Sequence, residues 1–354
     1  MQRHHIITTT KKLVKLSIIV PVYNVEKYIR ACLESIFKQE FNEEDFEIII
    51  VNDGTKDRSM EAIQDIISLH KNVSIINQEN QGLSTARNNG ITAAKGEYIL
   101  MPDPDDLLIE NSLKLLLGKA IETKVDLIVA DFLRMNNEEV NNLQTIQQKD
   151  FAIQEKTGEQ LFLEDLNPHE CYVWRTLYRR DFLINSNITF YPGIRYQDVP
   201  FTHECYLKAE KCLKTNWLLN IYRKRPGAAT YSFDTNKAFD FCIAIAKTWN
   251  LTNLTEPNTE IDFKLRENVW TSFSVLIRQS YYEINKISER FQIMDFLMKE
   301  APNLKFQNGK RQQFVTFLIR NMPHTFILLQ NFYILFIENR LLPLYHHTLG
   351  KWFK

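Results

Sequence analysis

The stretch LSIIVPVYN, Leu16–Asn24, is an apolar, largely β-branched run that closes on a proline, an aromatic and an amide. It reads as a buried strand delivering polar groups at its C-terminal end. FEIIIV at 46–51 repeats the plan and closes on Asn52-Asp53-Gly54, and EYILM at 97–101 closes on Pro102-Asp103-Pro104-Asp105-Asp106. Near-continuous apolar runs mark strands covered on both faces, as in parallel sheets. Between them the period changes. Val25, Tyr28, Ile29, Cys32, Leu33, Ile36 and Phe37 make one helical stripe, and Met60, Ile63, Ile66 and Ile67 a second. VSII at 73–76 predicts another strand, Leu83 to Ala94 a third helix, and VDLIVADFL at 125–133 a further strand. The alternation predicts an α/β chain built on a mostly parallel sheet flanked by helices. Asn136 to Gln148 lacks periodicity and reads as a loop or insertion; Phe151 to Tyr231 is less regular, and the remainder mostly helical.

The chain has 354 residues, 44% apolar and 24% charged, which suits a folded protein of one elaborated domain or two and excludes disorder. Its 43 basic and 43 acidic side chains cancel, which argues against a general nucleic-acid binder. Five cysteines, none in a C-x-x-C spacing, suggest neither a disulfide framework nor a zinc site, and fit a reducing compartment. The opening residues MQRHHIITTTKKLVK lack the apolar core and cleavage site of a secretory signal, so the expectation is a cytoplasmic protein. From Ala301 onward seven Lys and Arg face one acid, Glu338, among many apolar residues. The uncharged run Asn321–Ile337, 17 residues, barely reaches the lower limit for a membrane span. It reads as an interfacial helix on an anionic leaflet or as a helix packed on the rest of the protein.

Ligands of open parallel sheets bind beyond the carboxyl ends of the strands. Three polar clusters fall there: Tyr23-Asn24, Asn52-Asp53-Gly54, and Asp103, Asp105 and Asp106. Three carboxylates within four residues repel one another unless a cation neutralises them, and hard oxygen ligands suit Mg²⁺ or Mn²⁺. Such an ion usually completes its shell with water and substrate phosphate, which makes a nucleoside diphosphate the natural partner. No G-x-x-x-x-G-K-[ST] and no G-x-G-x-x-G after a strand occurs, so help with phosphate charge is expected from a basic residue such as Arg87.

PVYN at 21–24, IIIVNDGTKDRS at 48–59, GLSTARNNGI at 82–91 and KGEYILMPDPDD at 95–106 resemble, in order and spacing, the motifs of inverting family 2 glycosyltransferases of bacterial capsular and exopolysaccharide type. The resemblance covers about the first third of the chain. It implies the GT-A nucleotide-diphospho-sugar transferase fold, Rossmann-like, with a mostly helical C-terminal extension. It further implies an N-terminal tail at 1–14, a nucleotide-sugar-binding half at 15–133, an acceptor-binding half at 134–230 and a helical region at 231–354, the last a candidate for membrane association. The implied partners are a nucleoside diphosphate sugar, taken as a UDP-sugar, and a glycan or lipid-linked glycan acceptor, with no nucleic acid and with peripheral contact at the inner membrane. By the resemblance Pro21 and Tyr23 line the base pocket, Asp53 accepts a hydrogen bond from the base edge, and Arg87 approaches the diphosphate or base. Asp103 contacts ribose and, with Asp105, holds Mn²⁺ or Mg²⁺, supported by Asp106. Pro102 and Pro104 depart from the family pattern, and Pro104 lacks an N–H. Trp174–Phe182 and Gly193–Phe201 resemble the acceptor-side region, where Asp198 matches the second acid of a Glu-Asp pair and Gln197 replaces the first. The resemblance implies Asp198 as the catalytic base. IYRKRPGAAT at 221–230 resembles the segment closing over the donor phosphates, through Arg223 or Arg225.

Plainer readings stand beside these. Asp53 before a glycine can be only a turn former, Asp198 before an apolar run only an N-cap, and Arg87 only a solvated helix residue. His203 and the aromatics at 172–178 and 217–222 read as structural. Glu26 reads as an acid favoured in a helix's first turn. A non-catalytic scaffold for nucleotide sugar or glycan is the alternative function. A sugar nucleotidyltransferase is a further one, weakened by the missing Gly-rich phosphate loop.

Overall fold

The computed structural model describes residues 13–148, 150–225 and 232–335. The tail before residue 13, the segment 226–231 and the chain from 336 lie outside them, and so do the readings placed there. The described chain divides into two compact units, one within 1–166, 171–193 and 201–226, the other within 167–170, 194–200 and 227–354.

The first unit is built on one nine-stranded sheet. Strands β1 (Leu16–Val22), β2 (Phe46–Asn52), β3 (Val73–Asn77) and β4 (Tyr98–Leu100) are mutually parallel in the order β3-β2-β1-β4. All seven residues of β1 are buried, which is why the run carries no alternation. The first three crossovers pass through α1 (Ile29–Phe37), α2 (Gln64–Leu69) and α3 (Leu83–Ala93). Beyond β4 the sheet turns mixed: β8 (Thr176–Arg179) is antiparallel to both β4 and β6 (Leu127–Asn136). β9 (Cys212–Lys224) runs parallel to β6, with β5 (Leu107–Leu108) and β7 (Ile153–Lys156) antiparallel to it. Helices α4 (Leu113–Thr123), α5 (Asn137–Asn141), α6 (Gly158–Gln160) and α7 (Arg180–Asn185) punctuate this half.

Two departures from the periodicity have local causes. The stripe from Val25 predicts a helix, yet α1 begins only at Ile29. Residues 24–26 are instead held by the second loop: the Asn24, Val25 and Glu26 N–H groups donate to Thr55 Oγ1, Ser59 Oγ and Asp57 Oδ2 at 2.8, 2.9 and 2.9 Å. The aperiodic insertion contains α5, closed by a capping box in which Asn136 and Glu139 each accept the other's backbone N–H. Its five residues are too few to display a stripe.

α8 (Asp198–Lys208) starts in the second unit and continues into the first. The second unit is otherwise α9 (Thr235–Asn250), α10 (Glu260–Glu283), α11 (Ile287–Glu300), α12 (Lys310–Asn321) and α13 (Pro323–Phe332). Asp234 and Thr259 cap α9 and α10, and Trp270, Phe273 and Phe306 form an aromatic centre with ring centroids 4.9 to 5.8 Å apart. Among the described residues no helix is long and apolar enough to cross a membrane.

Candidate active site

The C-terminal ends of β1, β2 and β4 carry the polar groups the sequence places there. Pro21 is buried within β1, paired with Val51, and Tyr23 just beyond it is 39% exposed, a ring at the surface. Asp53, buried, accepts three hydrogen bonds: Gln78 Nε2 at 2.7 Å and Gln81 N at 2.8 Å on Oδ1, and Gly82 N at 2.9 Å on Oδ2. A carboxylate accepts about four, so one acceptor direction is left for a ligand. Asp53 is therefore a turn former, since its bonds shape the entry into α3, where Gly82 takes the left-handed φ of +87°.

That entry explains the motif 82–91 residue by residue. Arg87, 2% exposed, donates Nη2–H to Asp103 Oδ1 at 2.6 Å and lies 5.3 Å from the Phe190 ring. It is a buried charge with a charged partner, not a solvated helix residue. Asn88 exchanges two hydrogen bonds with the backbone of Phe190, at 2.8 and 2.9 Å, which pins that segment to α3. Asn89 holds the Gln78 side chain that in turn reaches Asp53. Gly90 lets α3 lie on β1: a Cβ there would meet the Ile19 side chain at 2.3 Å.

Two carboxylates of the acidic loop are paired with side-chain cations: Arg87 on Asp103, and Arg225 on Asp105 through Nε–Oδ2 at 2.6 Å. Sequence spacing hides the second pair, because Asp105 and Arg225 lie 120 positions apart and meet only through β9. Asp106 is 2% exposed; its Oδ1 accepts the Arg223 N–H at 2.8 Å and its Oδ2 has no partner among the described residues. Burial, with Asp103 and Asp105 nearby, pushes its carboxyl up to about 9, so it keeps its proton at pH 7. Arg223 and Arg225 both face the Tyr28 ring, at 5.4 and 4.8 Å. Next to them a concavity of about 460 Å³ is lined by Lys27, Tyr28, Asn137, Asn141 and Arg223, two cations and no carboxylate.

Among the described residues no three His, Cys, Asp or Glu side chains converge as a ready metal cage. The loop nevertheless fits a cation that needs few protein ligands. Three carboxylates lie within four residues there, and among the described residues Arg225 engages one oxygen of Asp105.

Asp198 occupies the first turn of α8. The preceding Tyr196 has φ +59° and stacks on Phe241 with ring centroids 4.5 Å apart, while Arg195 pairs with Asp240 at 3.3 Å. Gln197 is buried, and among the described residues its Oε1 has no partner. His203 is fully buried against Cys171 and Phe162, a structural histidine. Tyr172, Trp174 and Tyr222 stack within 5.8 Å, with Trp174 in the core and the two tyrosines half-buried. Glu26 accepts the Arg58 N–H at 3.1 Å and serves the loop.

Residues 17–185 match the sequence model of glycosyl transferase family 2, and the sheet with its flanking helices has the GT-A fold. The uncharacterized glycosyltransferase EpsJ of Bacillus subtilis is 35% identical over 217 residues, 61% of this chain and 62% of the relative. The chain thus spans under two thirds of that relative's length. Glycosyltransferase GlyG of Streptococcus pneumoniae is 29% identical over 245 residues, 66% of this chain and 78% of the relative. Among solved structures, S. aureus TarS 1–349 in complex with UDP-GlcNAc superposes with a TM-score of 0.70 at 21% identity, covering 90% of this chain and 91% of that one. That is a likeness of fold.

Proposed function

We propose that the protein transfers a sugar from a nucleoside diphosphate sugar, a UDP-sugar, to a glycan or lipid-linked glycan acceptor in bacterial surface polysaccharide synthesis, with inversion at the anomeric carbon. The observation that carries this reading is the pairing of Arg87 with Asp103 and of Arg225 with Asp105 on one acidic loop at the C-terminal end of β4, inside the region that matches the family 2 model. A diphosphate entering there finds two guanidiniums able to turn from carboxylate to phosphate. TarS, of the same fold, was crystallised with UDP-GlcNAc, which supports a uridine nucleotide.

In this reading Tyr23 and Pro21 face the base, the remaining acceptor direction of Asp53 meets a base N–H, and Asp103 reaches the ribose. Asp103 and Asp105 would hold Mn²⁺ or Mg²⁺, which when bound supplies charge neutralisation of the leaving diphosphate. Asp198 takes the proton from the acceptor hydroxyl as its oxygen bonds to the anomeric carbon. The bond from that carbon to the phosphate oxygen breaks on the opposite face, and its electron pair leaves with the nucleoside diphosphate. Residues 15–133 serve the donor and 134–230 the acceptor, and a lipid-linked acceptor places the work at the cytoplasmic face of the membrane.

A panel of sugar nucleotides is incubated with the full chain in Mn²⁺, Mg²⁺ or EDTA, and released nucleotide is measured. Release of UDP, abolished by EDTA and by Asp105→Ala, is the expected result. Release of pyrophosphate would establish the nucleotidyltransferase instead, and binding of UDP without turnover of any donor the scaffold. Turnover undiminished in excess EDTA would remove the metal from the mechanism.

A further inference from the structure

Single exposed apolar side chains are ordinary on a protein surface. In α12 and α13 they are not single. Phe314, Phe317, Leu328, Leu329 and Phe332 are 58, 55, 54, 49 and 58% exposed. The core does not account for the first two, because α12 already buries Val315, Leu318 and Ile319 on another face. Lys310, Phe314 and Phe317 follow the i, i+4, i+7 spacing of one outward stripe, and all three are exposed.

Charge identifies what such a stripe meets. Residues 301–335 contain no Asp or Glu, while Lys305, Lys310, Arg311 and Arg320 are exposed. A second copy of the chain would bring the same four cations against these four, which disfavours self-association through this face. Aromatic and aliphatic side chains among cations, on a segment that carries no acid of its own although Glu267 accepts from Gln312 and Asp295 pairs with His324 beside it, match a surface that is anionic outside and apolar beneath.

We infer that the outward faces of α12 and α13 form a docking surface for an anionic lipid bilayer, with Phe314, Phe317, Leu328 and Leu329 entering the acyl boundary and Lys305, Lys310, Arg311 and Arg320 at the phosphates. The inference stands apart from the sugar-nucleotide reading, since each can fail without the other.

Vesicle flotation of the full chain tests it, using equal parts phosphatidylcholine and phosphatidylglycerol against phosphatidylcholine alone. The expected result is flotation with the anionic vesicles only, weakened in 1 M NaCl, where the Debye length falls to about 3 Å. Phe314→Ser with Phe317→Ser, and separately Lys310→Glu with Arg311→Glu, should each lower the partition about tenfold or more. Both variants should keep the wild-type melting temperature and the nucleotide release measured without vesicles, because these side chains are exposed and outside the proposed site. Equal flotation on neutral vesicles, no flotation, or flotation unchanged in the two variants overturns the inference. A dimer that the Phe314→Ser, Phe317→Ser chain loses in vesicle-free solution overturns it in favour of a second copy as the occupant.

Discussion

Asp53→Asn separates architecture from ligand binding at one residue. The aspartate oxygens accept from Gln78 Nε2, Gln81 N and Gly82 N. Asparagine has the same shape but one acceptor oxygen. If that oxygen keeps the two donors now on Oδ1, the new amide N–H₂ faces the Gly82 N–H, donor against donor. A lost hydrogen bond with an unsatisfied partner costs about 1–3 kcal/mol, and bonds to a neutral acceptor are weaker than to a charged one. Gly82 is half-buried and water relieves part of this, which places the total at about 2–3 kcal/mol. At roughly 2–4 °C per kcal/mol, the melting temperature should fall by about 4–12 °C. Scanning calorimetry reads that fall, and UDP titration of the folded variant reads the ligand side, where losing one base contact weakens affinity about tenfold. A variant that melts like the wild type refutes the argument that Asp53 shapes the entry to α3.

Asp198→Asn should lower turnover by about 10²–10⁴, the range of a general base, while UDP binds as in the wild type; initial rates with saturating donor check it. Gly96→Ala should cost about 3 kcal/mol or more, because the new Cβ would lie 2.4 Å from Ser17 N and 2.5 Å from Leu16 C, backbone atoms of β1 that cannot step aside; chemical denaturation measures it. Asp106→Asn concerns pH. The native carboxyl, pushed up to about 9 from an ordinary 3.8, holds its proton where the unfolded one has released it. The native state therefore binds more protons from about pH 4 to 9, and stability falls as pH rises through that window. Asparagine mimics the protonated acid, so the variant should gain melting temperature over the wild type at pH 8, with the gain shrinking towards pH 5. A difference that does not vary with pH would refute the neutral Asp106.

Much of the donor half was legible from the chain alone. β1 and β2 are continuous apolar runs with polar residues close behind, Asn24 and Asp53, and a strand buried on both faces writes itself that way whatever its neighbours. The loops were legible as positions, since they sit at strand ends. The second half of the sheet was not: β5 has two residues and β7 four, too short for a period, and their direction is set by pairing with β9 from far along the chain.

The site divides along the same line. Side-chain chemistry and strand order were sufficient to place Tyr23, Asp53, Arg87, Asp103 and Asp105 at one end of the sheet, because a parallel strand always presents its following loop there. What each carboxylate faces was decided by tertiary structure. Asp53 turned inward to three N–H donors, Asp103 met the buried guanidinium of Arg87, and Asp105 met an arginine delivered by the last strand of the sheet. Charge balance depends on distance in space, and a guanidinium 120 residues away can neutralise an acid that its own neighbours only repel.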